Sequence, residues 1–432
     1  MRKTLIACLF FVSATVFVFA DTVYLNDGRV VKGKVIKEDE SEVVVESKLG
    51  TVTFKREEVD RIVRGDDEET GREELPKKEE PPSKEPSAES PKTENPDDLV
   101  KQYLEGNGSV FEKLKEKGDA AVISVKKAMK KASDSQKTRL KKLFDELTKV
   151  SEEKQTECEK WYKEGVNKEG EWWKTYDGLR KQGLSQKQAV NQTAKELAET
   201  IQCFQKAVDA NKWYEDGMLR LGVMLYQAHL FEKAIEALKL LIEAEDDLAL
   251  KTAGAAAFSM RDYKKCASYL EKYSDEKDAD TLLMLIQSYL YIPDTTKAET
   301  AIKRLEKLMP DDYRVFACYG CLYLLKKRFN DSVNALKKAI EKGDKTAGTR
   351  LNLASALDQL GKTEEAIVYC EEALKLAPGD YSTLLLLASL YTKVGRYDDA
   401  IKVLEEFLKL YPNSQGAPGA REALKKLKER KK

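Results

Sequence analysis

A repeat of 34 residues constrains the fold of this chain more than any other feature of its sequence. Regular units begin at residues 279, 313, 347 and 381, and two less regular units begin at 215 and 247. In most units the eighth and twentieth residues are small and the seventeenth is aromatic. The thirty-second residue is proline in three units, namely Pro310, Pro378 and Pro412. Because proline ends a helix and small residues let two helices approach closely, each unit predicts a helix–turn–helix.

This pattern resembles the tetratricopeptide repeat (TPR), a helix–turn–helix unit of 34 residues. The resemblance covers residues 181–414 and identifies six full units, at residues 215–246, 247–278, 279–312, 313–346, 347–380 and 381–414. It implies a mainly α fold, an α-solenoid whose stacked units bury a continuous core and whose first helices line a concave groove. Residues 415–432 predict a C-terminal capping helix, since an end unit exposes one apolar face.

Residues 1–20 have the pattern of a secretory signal peptide. A basic start precedes an apolar run from Leu5 to Phe19, and Ala20 fits the cleavage site. Lipid attachment at Cys8 is disfavoured, because almost no apolar residues precede it. No stretch is long and apolar enough for a membrane span, so we expect no integral membrane segment after cleavage. We therefore expect an exported bacterial protein, periplasmic or extracellular.

Residues 21–65 predict a small all-β domain. Five short strand segments follow one another, and Asn26-Asp27-Gly28 predicts a tight turn. A closed barrel is expected, because closure removes exposed edge strands.

Two runs in this domain resemble the motifs of Sm-like barrels. The first extends from Leu25 to Asp39 and includes Gly28 and Gly33, and the second is Val63-Arg64-Gly65. The residues that face RNA bases in that family would fall on Glu42 and Val43, which do not match. A nucleic-acid-binding Sm-like protein with a TPR assembly region is therefore the alternative function, and a structural or protein-docking barrel is preferred.

Two regions separate this domain from the repeats. Residues 66–98 hold six of the eleven prolines among Glu, Lys, Asp and Ser, which predicts a disordered linker. Residues 99–180 predict helices, weakly similar to a HEAT repeat. Their aromatic cluster suits packing between helical modules better than a ligand platform. The cluster consists of Trp161, Tyr162, Trp172, Trp173 and Tyr176.

The sequence predicts neither an enzyme nor a cofactor or metal site. His229 is the one histidine, and its place in a repeat predicts an exposed turn. No phosphate-binding loop or zinc-binding pattern is present. Cys318-x-x-Cys321 falls inside a helix, so we interpret it as two structural thiols instead of a redox pair. A hydrolase with a TPR accessory region is the third class considered, and no segment is left over for its catalytic domain.

We predict a non-catalytic scaffold of the cell envelope that binds a partner protein, and no nucleic acid, in the TPR groove. The 75 basic and 75 acidic residues give no general attraction to nucleic acid. Some TPR proteins grip a C-terminal carboxylate with Lys and Asn on their first helices, but at the corresponding places only Lys251 offers a charge. The bound segment should therefore be apolar or amphipathic. The predicted groove residues, which could instead pack between helices, are Tyr226, Gln227, Gln287, Leu290, Tyr291, Leu324, Leu325, Ser355 and Ser389.

Overall fold

The computed structural model describes residues 21–25, 30–38, 42–47, 50–56, 59–63 and 94–430. The predicted signal peptide at residues 1–20 and most of the predicted linker lie outside the described residues. The chain divides into two compact units, which are considered separately. One is Ser90–Leu376, and the other combines Met1–Glu89 with Ala377–Lys432.

The N-terminal segment forms one antiparallel sheet of five strands. The strands are β1 (Asp21–Leu25), β2 (Val30–Glu38), β3 (Glu42–Ser47), β4 (Gly50–Lys55) and β5 (Val59–Val63). Their spatial order is β4-β3-β2-β1-β5, so β4 and β5 are the end strands of the sheet. Val43, Phe54 and Val59 are buried. Each predicted strand segment thus contains a strand, whereas closure into an Sm-like barrel stays a prediction.

The first helices of the larger unit form a small bundle. They are α1 (Pro96–Leu104), a short 3₁₀ helix (Gly108–Val110), α2 (Phe111–Glu116), α3 (Asp119–Lys131) and α4 (Asp134–Leu147). The linker prediction is wrong at its end, because Pro96 is the first residue of α1 and Asn95 caps it through Asp97 N. Proline suits a first helical position, where its missing N–H is not needed.

A long helix connects this bundle to the repeats. It is α5 (Glu152–Lys181), followed by α6 (Gln186–Gln192) and α7 (Ala194–Ala210). Trp172 is fully buried in a cluster with Phe204 of α7 and Leu221, and its indole donates a 2.8 Å hydrogen bond to Thr193 Oγ1. The prediction separated residues 99–180 from 181–414, but α5 and α7 share one core. Trp172 and Tyr176 pack inside that core, as the packing interpretation of the aromatic cluster expects.

Helix pairs follow at the repeat spacing. Within the larger unit they are α8 (Glu215–Gln227) with α9 (Phe231–Ala237) and α10 (Lys239–Glu243), α11 (Asp247–Ser259) with α12 (Tyr263–Leu270), α13 (Ala279–Tyr291) with α14 (Thr295–Leu308), α15 (Tyr313–Leu325) with α16 (Phe329–Glu341), and α17 (Ala347–Gln359) with α18 (Thr363–Leu376). The mainly α, TPR-type fold predicted from the repeat is confirmed.

In three repeats the eighth residue is a glycine that lies directly beneath a leucine from the second half of the repeat. A Cβ atom at Gly222 would lie 2.5 Å from Leu238 Cγ, and one at Gly320 would overlap the side chain of Leu336. Leu238 and Leu336 are fully buried. Glycine at this place therefore allows the two helices of a repeat to pack closely.

The other unit contains the last helix pair and the C-terminal helix. They are α19 (Tyr381–Lys393), α20 (Tyr397–Leu410) and α21 (Ala417–Arg430). Helix α21 packs against α20, and Leu427 of α21 is buried. Tyr381 contributes to this packing, because its hydroxyl accepts a 3.0 Å hydrogen bond from Gly416 N.

Candidate protein-interaction surface

The first helices of successive repeats lie side by side in the larger unit. Each of α8, α11, α13, α15 and α17 contacts the next one in this series, while the second helices pack behind them. The outward faces of these five helices therefore form one continuous surface, here named the first-helix surface. Long, continuous surfaces of stacked repeats are where solenoid proteins bind their partners.

The predicted groove residues do not all reach this surface. Leu325 at the end of α15 is 42% exposed, whereas Gln227 is only 9% exposed. Ser389 is exposed on α19, in the other unit. The remaining residues are half-buried and comprise Tyr226, Gln287, Leu290, Tyr291, Leu324 and Ser355. Their role in binding a partner stays a prediction.

Two of the half-buried tyrosines pack between neighbouring repeats. The rings of Tyr291 and Tyr263 are stacked, with centroids 4.3 Å apart and planes 13° from parallel. Tyr226 packs against the core shared by α5 and α7. Burial raises the pKa of Tyr226, and a hydrogen bond with Ser259 opposes this only in part. Both tyrosines therefore stabilise the stacking of repeats, as the alternative interpretation of the groove residues expects.

The cations of the five first helices are all bound by acidic side chains of the same chain. Only four are present: Arg220, Lys251, Arg314 and Arg350. Arg220 Nη1 forms an ion pair with Glu169 of α5, and Arg220 Nε donates a 3.1 Å hydrogen bond to the Tyr162 hydroxyl.

Lys251 belongs to the most enclosed of these ion pairs. Its Nζ lies 2.5 Å from Asp278 Oδ2, and the two side chains are 19% and 13% exposed. Asp278 also accepts hydrogen bonds from the Tyr273 hydroxyl and from the main chain and side chain of Thr281. Burial acts to raise the pKa of Asp278, but the bonds from Lys251 and Thr281 outweigh it and lower the pKa to about 2. The positive charge of Lys251, noted in the sequence analysis as a possible contact for a carboxylate, is therefore neutralised by Asp278.

Arg314 and Arg350 are held in the same way. Arg314 Nε and Nη2 each donate a 2.9 Å hydrogen bond to Asp312, and Nη1 lies 3.2 Å from Asp280 Oδ1. Arg350 Nε lies 3.1 Å from Glu372 Oε2, and its Nη1 donates to the main-chain oxygen of Asp344. These charge-assisted contacts hold both guanidinium groups against acceptors of the same chain.

The thiols of Cys318 and Cys321 lie inside α15. Both cysteines are unoxidised, Cys318 is buried, and Cys321 accepts a 3.1 Å hydrogen bond from Asn352 Nδ2. Burial raises the pKa of Cys318 and raises that of Cys321 to about 11. Since the thiolate is the reactive form, these surroundings disfavour redox chemistry and support the structural interpretation.

The remaining sequence predictions concern His229, metal binding and membrane-spanning segments. His229 is exposed in the turn after α8 and has φ of 58°. Among the described residues, no group of three or more His, Cys, Asp or Glu side chains is arranged to hold a metal ion. Within the same residues, no helix combines the length and apolar character that crossing a membrane requires.

One recurring feature of the repeats, the N-cap of the first helix, was not predicted from the sequence. The last residue before a first helix accepts a hydrogen bond from a main-chain N–H of that helix in five consecutive cases. These residues are Asp246, Asp278, Asp312, Thr346 and Asp380. The signal was present, because Asp and Thr are strongly preferred as N-caps.

Comparisons with known protein families agree with this architecture. Models of the tetratricopeptide repeat match residues 319–381 and residues 359–421. The chain therefore contains tetratricopeptide repeats, and proteins with such repeats are generally protein-interaction scaffolds. These matches indicate no enzyme family. No curated protein has a matching sequence.

Several solved structures are similar to part of the chain. A tetratricopeptide repeat protein of Parabacteroides merdae ATCC 43184 is 11% identical over 59% of this chain and 99% of that chain, with a TM-score of 0.46. PilF of Pseudomonas aeruginosa is 19% identical over 48% of this chain and 96% of its own, with a TM-score of 0.39. PilW, a type IV pilus biogenesis factor, is 18% identical over 42% and 90%, with a TM-score of 0.37. The likeness concerns the fold alone.

Proposed function

We propose that this chain is a non-catalytic scaffold of the cell envelope that holds a segment of a partner protein in a groove lined by its first helices. The observation that carries the proposal is the unbroken series of first helices, α8 to α17, each in contact with the next. Such a series offers a peptide segment several neighbouring helix faces at once. The envelope location rests on the signal-peptide pattern of residues 1–20.

The nucleic-acid alternative has weaker support. Val43 occupies the place at which the Sm-like family would present a base-facing residue, and its side chain is fully buried in this chain. A buried valine offers neither a hydrogen bond nor an exposed stacking surface to a base. We therefore assign the sheet a structural or protein-docking role.

Leu325 offers the cleanest test of the proposed groove. It is 42% exposed at the end of α15, so its removal should leave the core intact, whereas Tyr291 is unsuitable because it stacks on Tyr263. We expect Leu325→Ala to weaken partner binding by about 1–3 kcal/mol, roughly fivefold to a hundredfold. Val368→Ala is the matched control, since Val368 is 52% exposed on a second helix.

The measurement is affinity capture from envelope extract with the wild type and both variants. The recovered proteins are compared by quantitative mass spectrometry with isotope labels. A partner recovered by the wild type and by Val368→Ala, but depleted with Leu325→Ala, supports the groove. Equal recovery by all three proteins, or loss with Val368→Ala alone, would place binding elsewhere.

A further inference from the structure

We propose that the partner segment bound on the first-helix surface is apolar and carries no acidic residues, and that the ion pair between Lys251 and Asp278 excludes acidic segments. This inference rests on the proposed function and adds the chemistry of the partner. It follows from the charges that the surface does and does not present.

The first-helix surface has no spare cation for an acidic partner. Helix α13 carries neither Lys nor Arg, and each cation on the other four helices is bound by a carboxylate of the chain. A carboxylate on the partner would have to displace one of these internal carboxylates. Displacement would leave the displaced group without its counter-charge, which is most unfavourable where the pair is largely buried. The Lys251–Asp278 pair is the most buried of them.

The part of the surface between the ion pairs is uncharged and lined by small side chains. Ala255 of α11 and Ala317 and Cys321 of α15 are half-buried there, and Leu325 protrudes at the end of α15. Small, neutral side chains leave room for the side chains of a bound segment and offer no charged contact. An apolar side chain gives up no hydrogen bonds to water on entering such a surface, and its apolar area is removed from water together with that of Leu325.

The pair also predicts a change of specificity. Asp278→Asn keeps an N-cap for α13, because asparagine caps as well as aspartate, but it removes the counter-charge of Lys251. The freed ammonium group should then attract a carboxylate of the bound segment. Lys251→Met in the same chain should abolish this gain.

The experiment uses a phage-displayed library of random dodecapeptides selected on the full chain. We expect the wild type to enrich peptides with at least threefold fewer Asp and Glu residues than the unselected library. Asp278→Asn should enrich acidic peptides, and the double variant Lys251→Met/Asp278→Asn should return to the wild-type selection. Glu271→Gln is the matched control, since it frees Lys297 on a second helix and should leave the selection unchanged.

The outcomes separate the inference from the proposed function. If the wild type enriches acidic peptides, or if Asp278→Asn selects the same peptides as the wild type, the inference is wrong while groove binding stands. If the wild type enriches no peptide, both are wrong. Far-UV circular dichroism of each variant shows whether the helices persist, and a change in selection counts only where they do.

Discussion

At the scale of single residues, the repeats depend on close contacts that leave no room for an added atom. Gly222, Gly254 and Gly320 each lie under a leucine from the second half of the same repeat. The corresponding pair in the next repeat is Ala354 and Cys370, both fully buried. The larger first residue there is matched by a smaller second one, as close packing requires.

Gly320→Ala should therefore destabilise the array. The added methyl group would overlap Leu336, so the helices must separate or the leucine must leave its preferred rotamer, at a cost of about 1–3 kcal/mol. Gly348→Ala is the control, because a Cβ atom there meets nothing within 4 Å and alanine favours the helix. Urea unfolding followed by circular dichroism should show a lower midpoint for Gly320→Ala only. Equal midpoints would contradict the packing argument.

The Lys251–Asp278 pair predicts a pH-dependent contribution to stability. The pKa of Asp278 is lowered to about 2 in the folded chain, so its contribution is complete above the usual aspartate value near 4 and is lost as the pH falls toward 2. At pH 7, Asp278→Asn should lower the free energy of unfolding by about 2 kcal/mol. The difference from wild type should shrink steadily below pH 4.

Denaturant unfolding of both proteins between pH 7 and pH 2.5 tests this expectation. Asp216→Asn, an exposed change on α8, serves as the control and should stay close to wild type at each pH. A difference for Asp278→Asn that is the same at every pH would show that the carboxylate charge is not the source of its contribution.

At the scale of elements, the turn between the two helices of a repeat has a fixed backbone conformation. The fifteenth residue of five of the six repeats has φ between 55° and 78°, at His229, Arg261, Lys327, Gly361 and Gly395. This left-handed conformation ends the first helix and lets the chain reverse. Only two of the five residues are glycine, so three repeats hold a strained residue at this turn.

Lys327→Gly should therefore stabilise the fourth repeat. Glycine removes a strain of about 1–2 kcal/mol but adds freedom to the unfolded chain, which leaves a net gain of about 0.5–1 kcal/mol. Lys303→Gly, in the middle of α14, should instead cost about 1 kcal/mol. Thermal unfolding should therefore move in opposite directions for the two variants. A lower melting temperature for Lys327→Gly would contradict the assignment.

Helices and strands could be predicted from the sequence because their signals are local. Small, aromatic and proline residues at fixed places in the repeat marked the start of each first helix, and Gly118 and Ser133 marked the breaks on either side of α3. The candidate surface could be predicted only in part. Whether Tyr226 or Tyr291 faces outward depends on which neighbouring helix covers it, and that is set by contacts between repeats. The carboxylate partners of Arg220 and Lys251 are likewise 51 and 27 residues distant in the chain.

At the scale of the larger unit, the N-terminal bundle is docked on the first repeats. Val122 of α3 shares a buried cluster with Trp213 and Met218, and Trp213 Nε1 donates a 2.9 Å hydrogen bond to Asp119 Oδ1. Ion pairs join Lys126 to Glu215 and Lys130 to Asp247. The bundle therefore packs against the first two repeats, while α7 covers α8 of the first repeat.

Trp213→Ala should loosen this docking. Removing a buried tryptophan costs about 3–5 kcal/mol and leaves the Asp119 carboxylate with one fewer hydrogen bond. Hydrogen–deuterium exchange should become faster in α3 and α8 while α15 and α17 keep their protection. Trp161→Ala, at a partly exposed residue of α5, should leave exchange in α3 unchanged. Faster exchange throughout the chain would instead show that the bundle and array unfold as one unit.

Binding on the first-helix surface can be tested by finding which face of the array contacts the partner protein. A photo-crosslinking amino acid would be placed at Leu325 or Ser355, on first helices, and at Val368, on a second helix, in the producing cells. We expect one shared crosslinked protein from residues 325 and 355, identified by mass spectrometry, and none from 368. Crosslinks from 368 without any from 325 and 355 would contradict binding on the first-helix surface.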